Sequence, residues 1–571
     1  MKATGAAELV ELRVLDGPNL YFTRPAVKVV LAVPGWLALP EGRAESIAGR
    51  VSPTRLPHPG APATEVRRRF VARIASHVAR DLAAVDGTAL GVRSRPGPEP
   101  GQIVVAFPWR RRGAAEALGR EVARLMADVP SARRSYARLL QASAGRLRMV
   151  DPGPAPVVPD PRIPTVAVTG TNGKTTTVRL LAHFGAAAGL SVAYSCTDGV
   201  YRDGRLVEEG DYSGFGGAAR ALSQPDVNLA ILETARGGIL LRGIGAMHND
   251  VAVVTNVSAD HLDLQGIRTL DQLAEVKATI TKITRPDGWD VLNADDPRVL
   301  AMRRGAKGRP WLFSLDPDHR AIRTTLNEGG RASTVIDGWI SVLAPGSHAA
   351  LVPLLDVPVT LAGISRNNTL NALASTSAAL AVGIPADAVI RGLRTFVLDE
   401  DSNPGRANLY ELDGRVVVLD YAHNEAGLQG MIEVCRGLCA KPGEVWLSFG
   451  TAGDRTDEIL HGLGYTAARG ADHVAVAELL HYLRGRDREE LVARLRAGAI
   501  DGGAAKVPVF ADELRALKWM LRSSRPADVV AVAALVQRQE IFRHLRKAGA
   551  ARVGPRRVRQ LVRRAAAARK R

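Results

Sequence analysis

Hydrophobic positions in the first 150 residues follow helical spacing in some stretches and strand-like spacing in others. Apolar residues recur every three or four positions from Val66 to Leu82, and again from Ala114 to Met126. A short apolar run from Gln102 to Pro108 lies between them and is typical of a strand. The pattern predicts a small α+β domain over residues 1–150.

A second region, over residues 165–400, alternates strand-like apolar runs with helical ones. The strand-like runs are Thr165 to Thr169, Leu229 to Leu232 and Val251 to Asn256. Asn371 to Val382 has helical spacing, and a Gly- and Pro-punctuated stretch from Trp311 to Thr360 indicates a β insertion. Strands that alternate with crossover helices are typical of a parallel sheet. We therefore predict a doubly wound α/β domain here.

The alternation begins again in a smaller region, over residues 401–542. Its strand-like runs are Val416 to Asp420, Glu444 to Phe449, His473 to Ala475 and Val529 to Ala533. They predict a second α/β domain. Between the first two regions, six prolines crowd residues 151–164 and predict an extended linker.

The composition agrees with several soluble domains. A chain of 571 residues is too long for one core, and 46% of its residues are hydrophobic. No apolar run approaches the ~18 residues that span a bilayer, which excludes a membrane protein. The start, Met1 to Leu15, lacks the layout of a secretory signal, so we expect a cytoplasmic protein. Three cysteines are too few for a disulfide scaffold or a zinc module.

The positive charge is concentrated at the end of the chain. The net charge is +18, and the stretch from Arg543 to Arg571 holds 12 Lys or Arg and no acidic residue, which leaves +6 for the first 542 residues. This basic tail, residues 543–571, is interpreted as an appended helix or a disordered arm. A solvated tail is the simpler interpretation, and a polyanionic polymer or an acidic partner is the alternative. A homo-oligomer is left open.

A glycine-containing turn links a hydrophobic strand to a helix near residue 170. Its residues are Gly170, Thr171, Asn172, Gly173, Lys174, Thr175 and Thr176. At the N-terminus of such a helix the backbone N–H groups are directed at phosphate oxygens. The lysine can reach terminal phosphates, and a Thr hydroxyl can bind Mg²⁺. Val168 stands where the common G-x-x-x-x-G-K-[ST] pattern has its first glycine, so the loop is a compact form. A plain turn is the alternative, but the Lys-Thr-Thr run favours a phosphate loop.

The compact loop resembles the ATP site of Mur ligases and folylpolyglutamate synthetases, which form amide bonds through an acyl phosphate. Glu233 follows a strand in Glu-Thr-Ala-Arg-Gly-Gly-Ile, and His261 lies in Thr-Asn-Val-Ser-Ala-Asp-His-Leu after the next strand. Ligands of α/β folds bind at such strand ends. The resemblance implies ATP and Mg²⁺ as cofactors, with Mg²⁺ held by Thr175, Glu233 and His261. Without the resemblance, the simpler interpretation of a Glu or His at the end of a strand is a surface residue.

Further motifs occur in the order that the resembled family has. Lys277 matches a lysine that many Mur ligases carry as a carbamate, although a helical lysine is usually solvated. By resemblance Asn371 contacts the base, Arg406 a phosphate and Asp420 the ribose. His423 and Asn424 follow in Asp-Tyr-Ala-His-Asn and complete the nucleotide pocket, although His423 could equally be a core or loop histidine.

The resemblance narrows to the Mur-type part of cyanophycin synthetases. The segments that carry it are Asp198-Gly-Val-Tyr, Gly210-Asp-Tyr-Ser-Gly, Asn-Pro-Gly-Arg406 and Gly453-Asp-Arg455-Thr. More faintly, Leu15-Asp-Gly-Pro-Asn-Leu20 is similar to their N domain. The ATP-grasp domain of that family is missing between the two parts, so we expect no backbone extension.

The resemblance implies a ligase that joins an amino acid to a carboxylate or peptide substrate, with arginine and an aspartyl side chain as one candidate pair. Lys174, Lys277, His261 and Arg455 are the candidate catalytic residues, Arg455 entering the site as the last domain closes. A Mur-type ligase for another amino acid or a natural-product precursor is one alternative. A non-catalytic protein that binds nucleotides or nucleic acid is the other.

Overall fold

The computed structural model describes residues 5–52, 56–132, 135–260 and 262–570, and it builds them around three β-sheets. The first sheet has four antiparallel strands in the order β1-β2-β4-β3. Its strands are β1 (Glu8–Leu15), β2 (Ala26–Ala32), β3 (Arg93–Pro96) and β4 (Gln102–Pro108). The helices around it are α1 (Pro34–Ala38), α2 (Glu41–Val51), α3 (Glu65–Ala84), α4 (Arg112–Asp128) and α5 (Tyr136–Arg148). The predicted helices and the predicted strand of this region are confirmed.

Both faces of this first sheet are apolar because both are covered. On one face, Val27 and Phe107 pack with Phe70 of α3 in a buried cluster. On the other face, Val30 and Val104 belong to a cluster that continues into the next domain. No helix or strand occurs over residues 151–164, the segment predicted as a linker.

The second sheet has eleven strands in the order β15-β14-β13-β12-β11-β10-β5-β9-β6-β7-β8. They are β5 (Thr165–Thr169), β6 (Val192–Cys196), β7 (Gly199–Arg202), β8 (Arg205–Glu209), β9 (Leu229–Glu233), β10 (Asn249–Val254), β11 (Thr284–Asn293), β12 (Arg309–Phe313), β13 (Arg331–Ile336), β14 (Trp339–Ala344) and β15 (Ser347–Pro353). The helices are α6 (Lys174–Ala187), α7 (Phe215–Leu222), α8 (Arg236–Leu241), α9 (Leu270–Lys277), α10 (Pro297–Ala301), α11 (Arg320–Asn327), α12 (Arg366–Ala381) and α13 (Ala386–Thr395).

The centre of this sheet is parallel from β13 to β6, and antiparallel hairpins extend both edges. The doubly wound α/β prediction is therefore confirmed. The strands predicted as a β insertion are present, but β12 to β15 continue the central sheet. That region is thus an extension of the sheet and not a separate insertion.

The third sheet has seven strands in the order β20-β19-β18-β21-β17-β16-β22. They are β16 (Asn408–Leu412), β17 (Arg415–Asp420), β18 (Val445–Phe449), β19 (His473–Ala477), β20 (Val509–Phe510), β21 (Val529–Ala533) and β22 (Ala551–Arg552). The helices are α14 (Glu425–Leu438), α15 (Asp457–Gly470), α16 (Arg488–Asp501), α17 (Glu513–Ser523), α18 (Arg538–Lys547) and α19 (Pro555–Lys570). All four predicted strands of this region are confirmed. None of the described helices has the length and apolar character needed to cross a membrane.

The first sheet docks on the second domain through the segment after β1. The Asp16 carboxylate accepts hydrogen bonds from Arg242 at 2.7 and 3.0 Å, and Ile244 N–H donates to the Pro18 carbonyl at 2.6 Å. A Cβ at Gly17 would lie 1.9 Å from the Ile244 carbonyl oxygen, so only glycine permits this approach. The Leu15 to Leu20 segment, singled out from the sequence, therefore forms an interface.

The basic tail is part of the third domain. Strand β22 pairs with β16, and α19 lies on α14 with Val558, Leu561 and Ala565 buried. Several of its arginines bind acidic groups of the body, among them Arg552 with Asp401 at 3.1 Å, Arg557 with Glu411 at 2.8 Å and Arg559 with Asp356 at 3.3 Å. The helix alternative is thus confirmed, whereas the solvated or disordered arm is wrong. The charge composition of the tail favours a solvated arm, but Val558, Leu561 and Ala565 form an apolar stripe at helical spacing that packs on the domain.

Deleting residues 555–571 should lower the thermal unfolding midpoint of the protein. The deletion uncovers the face of α14 that Val558 and Leu561 cover, and burying such side chains is worth about 1.5–3 kcal/mol each. The control Arg563→Gln/Arg564→Gln removes two exposed charges of the same helix and keeps the buried side chains. Calorimetry that finds equal midpoints for the deletion and the control would contradict the packing described.

A buried carboxyl in β11 should make stability depend on pH. Asp290 is fully buried, accepts hydrogen bonds from Thr284 Oγ1 and Gly308 N–H, and burial raises its pKa to about 7. An unfolded aspartate titrates near pH ~3.9. Between about pH 4 and about pH 7 unfolding therefore releases a proton, so rising pH destabilises the folded chain, and the loss is complete above about pH 7. Relative to Asp290→Asn, the wild-type midpoint should fall across this window; a constant difference would refute the assignment.

Candidate functional site

The phosphate loop joins β5 to α6 at the middle of the central sheet. Gly173 has φ of +87° and precedes the first helical residue, Lys174. A Cβ at Gly173 would lie 2.2 Å from Asn371 Oδ1, so a side chain there would displace this asparagine. The N–H groups of the first turn have no partners within the helix and carry its positive dipole end. The loop can therefore receive an anionic phosphate.

Residues after β10 hold the loop in place. Asn256 accepts a hydrogen bond from Asn172 N–H at its Oδ1 (2.9 Å) and another from Thr171 N–H at its carbonyl (2.9 Å). Thr255 Oγ1 donates to the Asn172 carbonyl at 2.7 Å. The Thr255-Asn256 pair had no assigned role from the sequence. It fixes the loop from the neighbouring strand, which pre-organises the backbone N–H groups.

Two of the three predicted metal ligands lie together. Glu233 is 2% exposed, and its carboxylate accepts hydrogen bonds from Thr175 Oγ1 at 2.8 Å and from Thr197 Oγ1 at 2.9 Å. His261, the third, lies outside the described residues. Within residues 5–52, 56–132, 135–260 and 262–570, no group of three or more His, Cys, Asp or Glu side chains could hold a metal.

The donor set fits a hard divalent cation. Hydroxyl and carboxylate oxygens are ligands that Mg²⁺ prefers, and Mg²⁺ is commonly held by one or two carboxylates together with substrate phosphates. Thr175 and Glu233 supply such oxygens beside the phosphate loop. A metal that takes its remaining ligands from a nucleotide and water needs no closed protein cage.

Lys277 ends α9 beneath the loop. It is 3% exposed, and its Nζ donates to the Gly170 carbonyl at 2.7 Å. Burial lowers the pKa of Lys277 well below its usual range, and the positive charges of Lys174 and Arg236 act in the same direction. The solvated-helix alternative is therefore wrong, and the carbamate stays a prediction.

One cavity of about 810 Å³ collects most of the predicted site residues. Its walls include Gly170 to Thr176, Glu233, Lys277, Asn371, Arg406, Asp420 and His423. These residues come from both α/β domains, so the cavity lies between the second and third sheets. The predicted site residues come from distant parts of the sequence, and the fold thus brings them together in space.

Arg406 and Asp420 line the wall that the third domain supplies. The Arg406 guanidinium lies 4.9 Å from the centre of the Tyr421 ring, and its buried Nε has no hydrogen-bond partner among the described residues. Asp420 accepts a hydrogen bond from Ala407 N–H at 2.8 Å, and burial raises its pKa to about 6 although Arg406 opposes the shift. An arginine with an unsatisfied donor in a cavity fits an anionic group such as a phosphate.

His423 and Asn424 connect the third domain to the loop. The His423 ring contacts the Tyr421 carbonyl through Nδ1 at 3.0 Å and Asp260 Oδ2 through Nε2 at 3.3 Å. Asn424 caps α14, accepting from Gly427 N–H at 2.9 Å, and its side chain bonds that of Asn172 at 3.0 Å. His423 lines the cavity, whereas Asn424 holds the loop from behind.

Arg455 is not among the cavity-lining residues. It is 5% exposed, donates to Asp260 Oδ1 at 3.0 Å and pairs with Asp454. Arg486 binds the backbone carbonyls of Gly453 and Arg455. Arg455 therefore connects the two α/β domains, and a catalytic role for it stays a prediction.

Sequence reasoning missed several charged residues at the cavity. Arg236 is 9% exposed and donates to the Leu264 carbonyl and Gln265 Oε1. Asp198 binds Arg179 at 3.1 Å and Arg538 at 3.0 Å. A signal was available for Arg179, because it interrupts the apolar run Val178-Arg-Leu-Leu of a helix that must be buried. Arg538 is 340 residues from its partner and has no such signal.

Two family models match the chain. The model of the Mur ligase middle domain matches residues 168–379, and the model of the Mur ligase glutamate ligase domain matches residues 405–535. Together they cover most of the two α/β domains that line the cavity. Neither reaches residues 1–150, the region predicted as the N-terminal domain.

Known proteins with these domains are similar over most of the chain. A cyanophycin synthetase of Crocosphaera subtropica is 39% identical over 361 residues, which are 63% of this chain and 41% of that protein. The chain thus spans about two fifths of that relative's length. A UDP-N-acetylmuramyl-tripeptide synthetase of Deinococcus radiodurans is 28% identical over 424 residues, 71% of this chain and 77% of that protein. The solved structure of E. coli FolC in complex with ADP, without folate substrate, is 19% identical, with TM-score 0.49 over 68% of this chain and 91% of that one.

Proposed function

Because the chain belongs to the Mur ligase family, we propose that it is an ATP-dependent, ADP-forming ligase that joins an amino acid to a carboxylate substrate. The observation that carries the proposal is the single cavity in which the phosphate loop, Glu233, Lys277 and Arg406 meet. The carboxylate–hydroxyl pair beside the loop suits the cation that accompanies ATP in phosphoryl transfer.

The reaction has two steps. A substrate carboxylate oxygen attacks the γ-phosphorus of ATP, and the bond between that phosphorus and the oxygen bridging it to the β-phosphate breaks. ADP departs, and the substrate carries the γ-phosphoryl group as an acyl phosphate. The amine nitrogen then attacks the acyl carbon, the C–O bond to phosphate breaks, and the amide forms as the amine loses a proton. Both steps build negative charge on oxygen, which fixed positive groups can stabilise.

The residues of the cavity divide this work. Lys174 and the loop N–H groups hold the transferring phosphoryl group, and Arg406, which lines the cavity, offers its guanidinium to a phosphate. Mg²⁺ bound at Thr175 and Glu233 would neutralise charge on the nucleotide. Asp420, at the end of β17, is proposed to bind the ribose hydroxyls, and Asn371 the base.

The bonds between the domains support exclusion of water from the acyl phosphate. Asp260 of the second domain binds Arg455 and His423 of the third, and Asn172 binds Asn424. These polar contacts close one side of the cavity. Hydrolysis of the acyl phosphate would waste ATP, so a closed cavity favours attack by the amine.

The finer form of the proposal names arginine as the amine and an aspartyl side chain as the carboxylate. Its support is the identity to a cyanophycin synthetase over the two α/β domains. Backbone extension of an aspartate chain is proposed to be absent, because residues 151–164 stand where that family carries its ATP-grasp domain. A polyanionic partner for the tail and a homo-oligomer stay predictions.

The proposal is tested by measuring ADP release from purified protein with MgATP, an aspartate-rich peptide and each of the common amino acids in turn. ADP release that requires both the peptide and one amino acid, with mass spectrometry showing the amide product, is the expected result. If arginine is the best amine substrate, the result supports the finer form of the proposal. If another amino acid is better, that amino acid takes the place of arginine in the proposal. If the protein binds nucleotide whether or not peptide and amine are present, and releases no ADP, the proposal that it is a ligase is overturned.

A further inference from the structure

Glu513, the first residue of α17, is a buried carboxylate outside the cavity. It is 1% exposed, and its oxygens accept hydrogen bonds from three successive backbone N–H groups. Leu535 N–H donates to Oε1 at 2.7 Å, Gln537 N–H donates to Oε2 at 2.7 Å, and Val536 N–H reaches both at 3.1 and 3.2 Å. One side chain therefore fixes the whole loop between β21 and α18.

That loop forms one wall of the cavity and delivers Arg538. Leu535, Val536 and Arg538 line the cavity, and Arg538 begins α18. The Arg538 guanidinium crosses to the second domain and donates to Asp198 Oδ1 at 3.0 Å, and it also donates to the Pro404 carbonyl of its own domain at 3.1 Å. A Cβ at Gly405 would lie 2.4 Å from Arg538 Cδ, so glycine is needed for this path.

Asp198 lies under the influence of three guanidinium groups, two of which bond to it. Its second oxygen accepts from Arg179 at 3.1 Å, so Arg179 and Arg538 occupy both oxygens. Burial alone would raise the pKa of Asp198, but Arg406, Arg538 and Arg179 together lower it, so the group is anionic. Arg406 nevertheless makes no hydrogen bond to it among the described residues, and its Nε stays unsatisfied.

We propose that Glu513 is a positioning residue that acts through Arg538: by holding the 535–537 loop it keeps Asp198 occupied and leaves Arg406 available to the anionic ligand of the cavity. Without Arg538, an oxygen of Asp198 would be free to take the Arg406 guanidinium, in competition with phosphate. The inference rests on the proposed function, in which Arg406 binds a phosphate of ATP.

The test compares Glu513→Gln with Asp512→Asn. Glutamine keeps the size of the side chain but turns an NH₂ group toward one of the loop N–H donors. The expected result is a rise of about tenfold in KM for ATP with kcat changed less than about threefold, the pattern of weakened ground-state binding. Asp512 is the adjacent acid; it caps α17 by accepting from Arg515 N–H at 2.7 Å, and its replacement should leave KM unchanged.

Double variants separate positioning from a general loss of structure. Glu513→Gln should add nothing to the KM of Arg538→Ala, and Asp198→Asn should restore the KM of Arg538→Ala toward the wild-type value, because no anion then competes for Arg406. The second comparison does not use Glu513→Gln, so the competition between Asp198 and the anionic ligand for Arg406 stays testable even where that variant unfolds. A wild-type KM in Glu513→Gln, full additivity with Arg538→Ala, or no recovery with Asp198→Asn would overturn the inference. A wild-type protein that neither binds nor hydrolyses ATP would instead overturn the proposed function.

Discussion

Replacing Lys174 with alanine should lower the rate of ADP formation at least ~10²-fold, because the variant loses a fixed positive charge aimed at the transferring phosphoryl group. In the structure Lys174 Nζ donates to the Thr171 carbonyl at 3.0 Å, inside the loop that it would serve. Glu233→Ala should cause a loss of the same order, since it removes the carboxylate beside Thr175. Steady-state ADP release at saturating ATP is the measurement.

The matched control for this prediction is Lys506→Ala. Lys506 is an exposed lysine of the third domain that does not line the cavity, so its removal should leave turnover unchanged. Circular dichroism and the thermal midpoint show whether each variant is folded. If folded Lys174→Ala or Glu233→Ala formed ADP at near wild-type rates, the ligase mechanism would be wrong.

Replacing Lys277 with alanine should abolish most activity, and added formate or acetate should recover part of it. A carbamate forms when an uncharged amine attacks carbon dioxide and loses a proton, and burial lowers the pKa of Lys277 toward that uncharged form. A short carboxylate can then occupy the position that the carbamate oxygens leave. Turnover measured against carboxylate concentration checks this.

Two outcomes would contradict the carbamate. An unaffected Lys277→Ala protein would show that the buried amine has no role in turnover. Loss of activity without rescue would indicate that Lys277 acts only as the donor to the Gly170 carbonyl. Lys277→Gln, which keeps an N–H donor one bond nearer the backbone, should then retain part of the activity, whereas it should fail if the carbamate is needed.

Much of the site could be predicted because its residues follow strands in chain order. The phosphate loop lies between β5 and α6, Glu233 ends β9 and Lys277 ends α9. The carboxyl ends of parallel strands meet at one sheet edge, so the order of motifs already implies their proximity. The Mur ligase resemblance inferred from these motifs is confirmed by the family models.

The charged pairs between domains could not be predicted in this way. Asp260 and Arg455 are 195 residues apart, and each occurs in a segment without periodic spacing. Their partners are decided by how the third domain rests on the second, which no local pattern encodes. The sequence predicts that Arg455 enters the site as the last domain closes, and in the structure it lies in the contact between domains, bonded to Asp260.

The docking of the first sheet limits where the chain can be truncated. A fragment that began at residue 165 would keep every nucleotide motif but lose the partners of Ile244 and Arg242. It would also uncover the apolar cluster that Leu15, Val30 and Val104 share with the second domain. Such a surface promotes aggregation. The shortest stable unit for engineering this protein therefore includes the region that neither family model reaches.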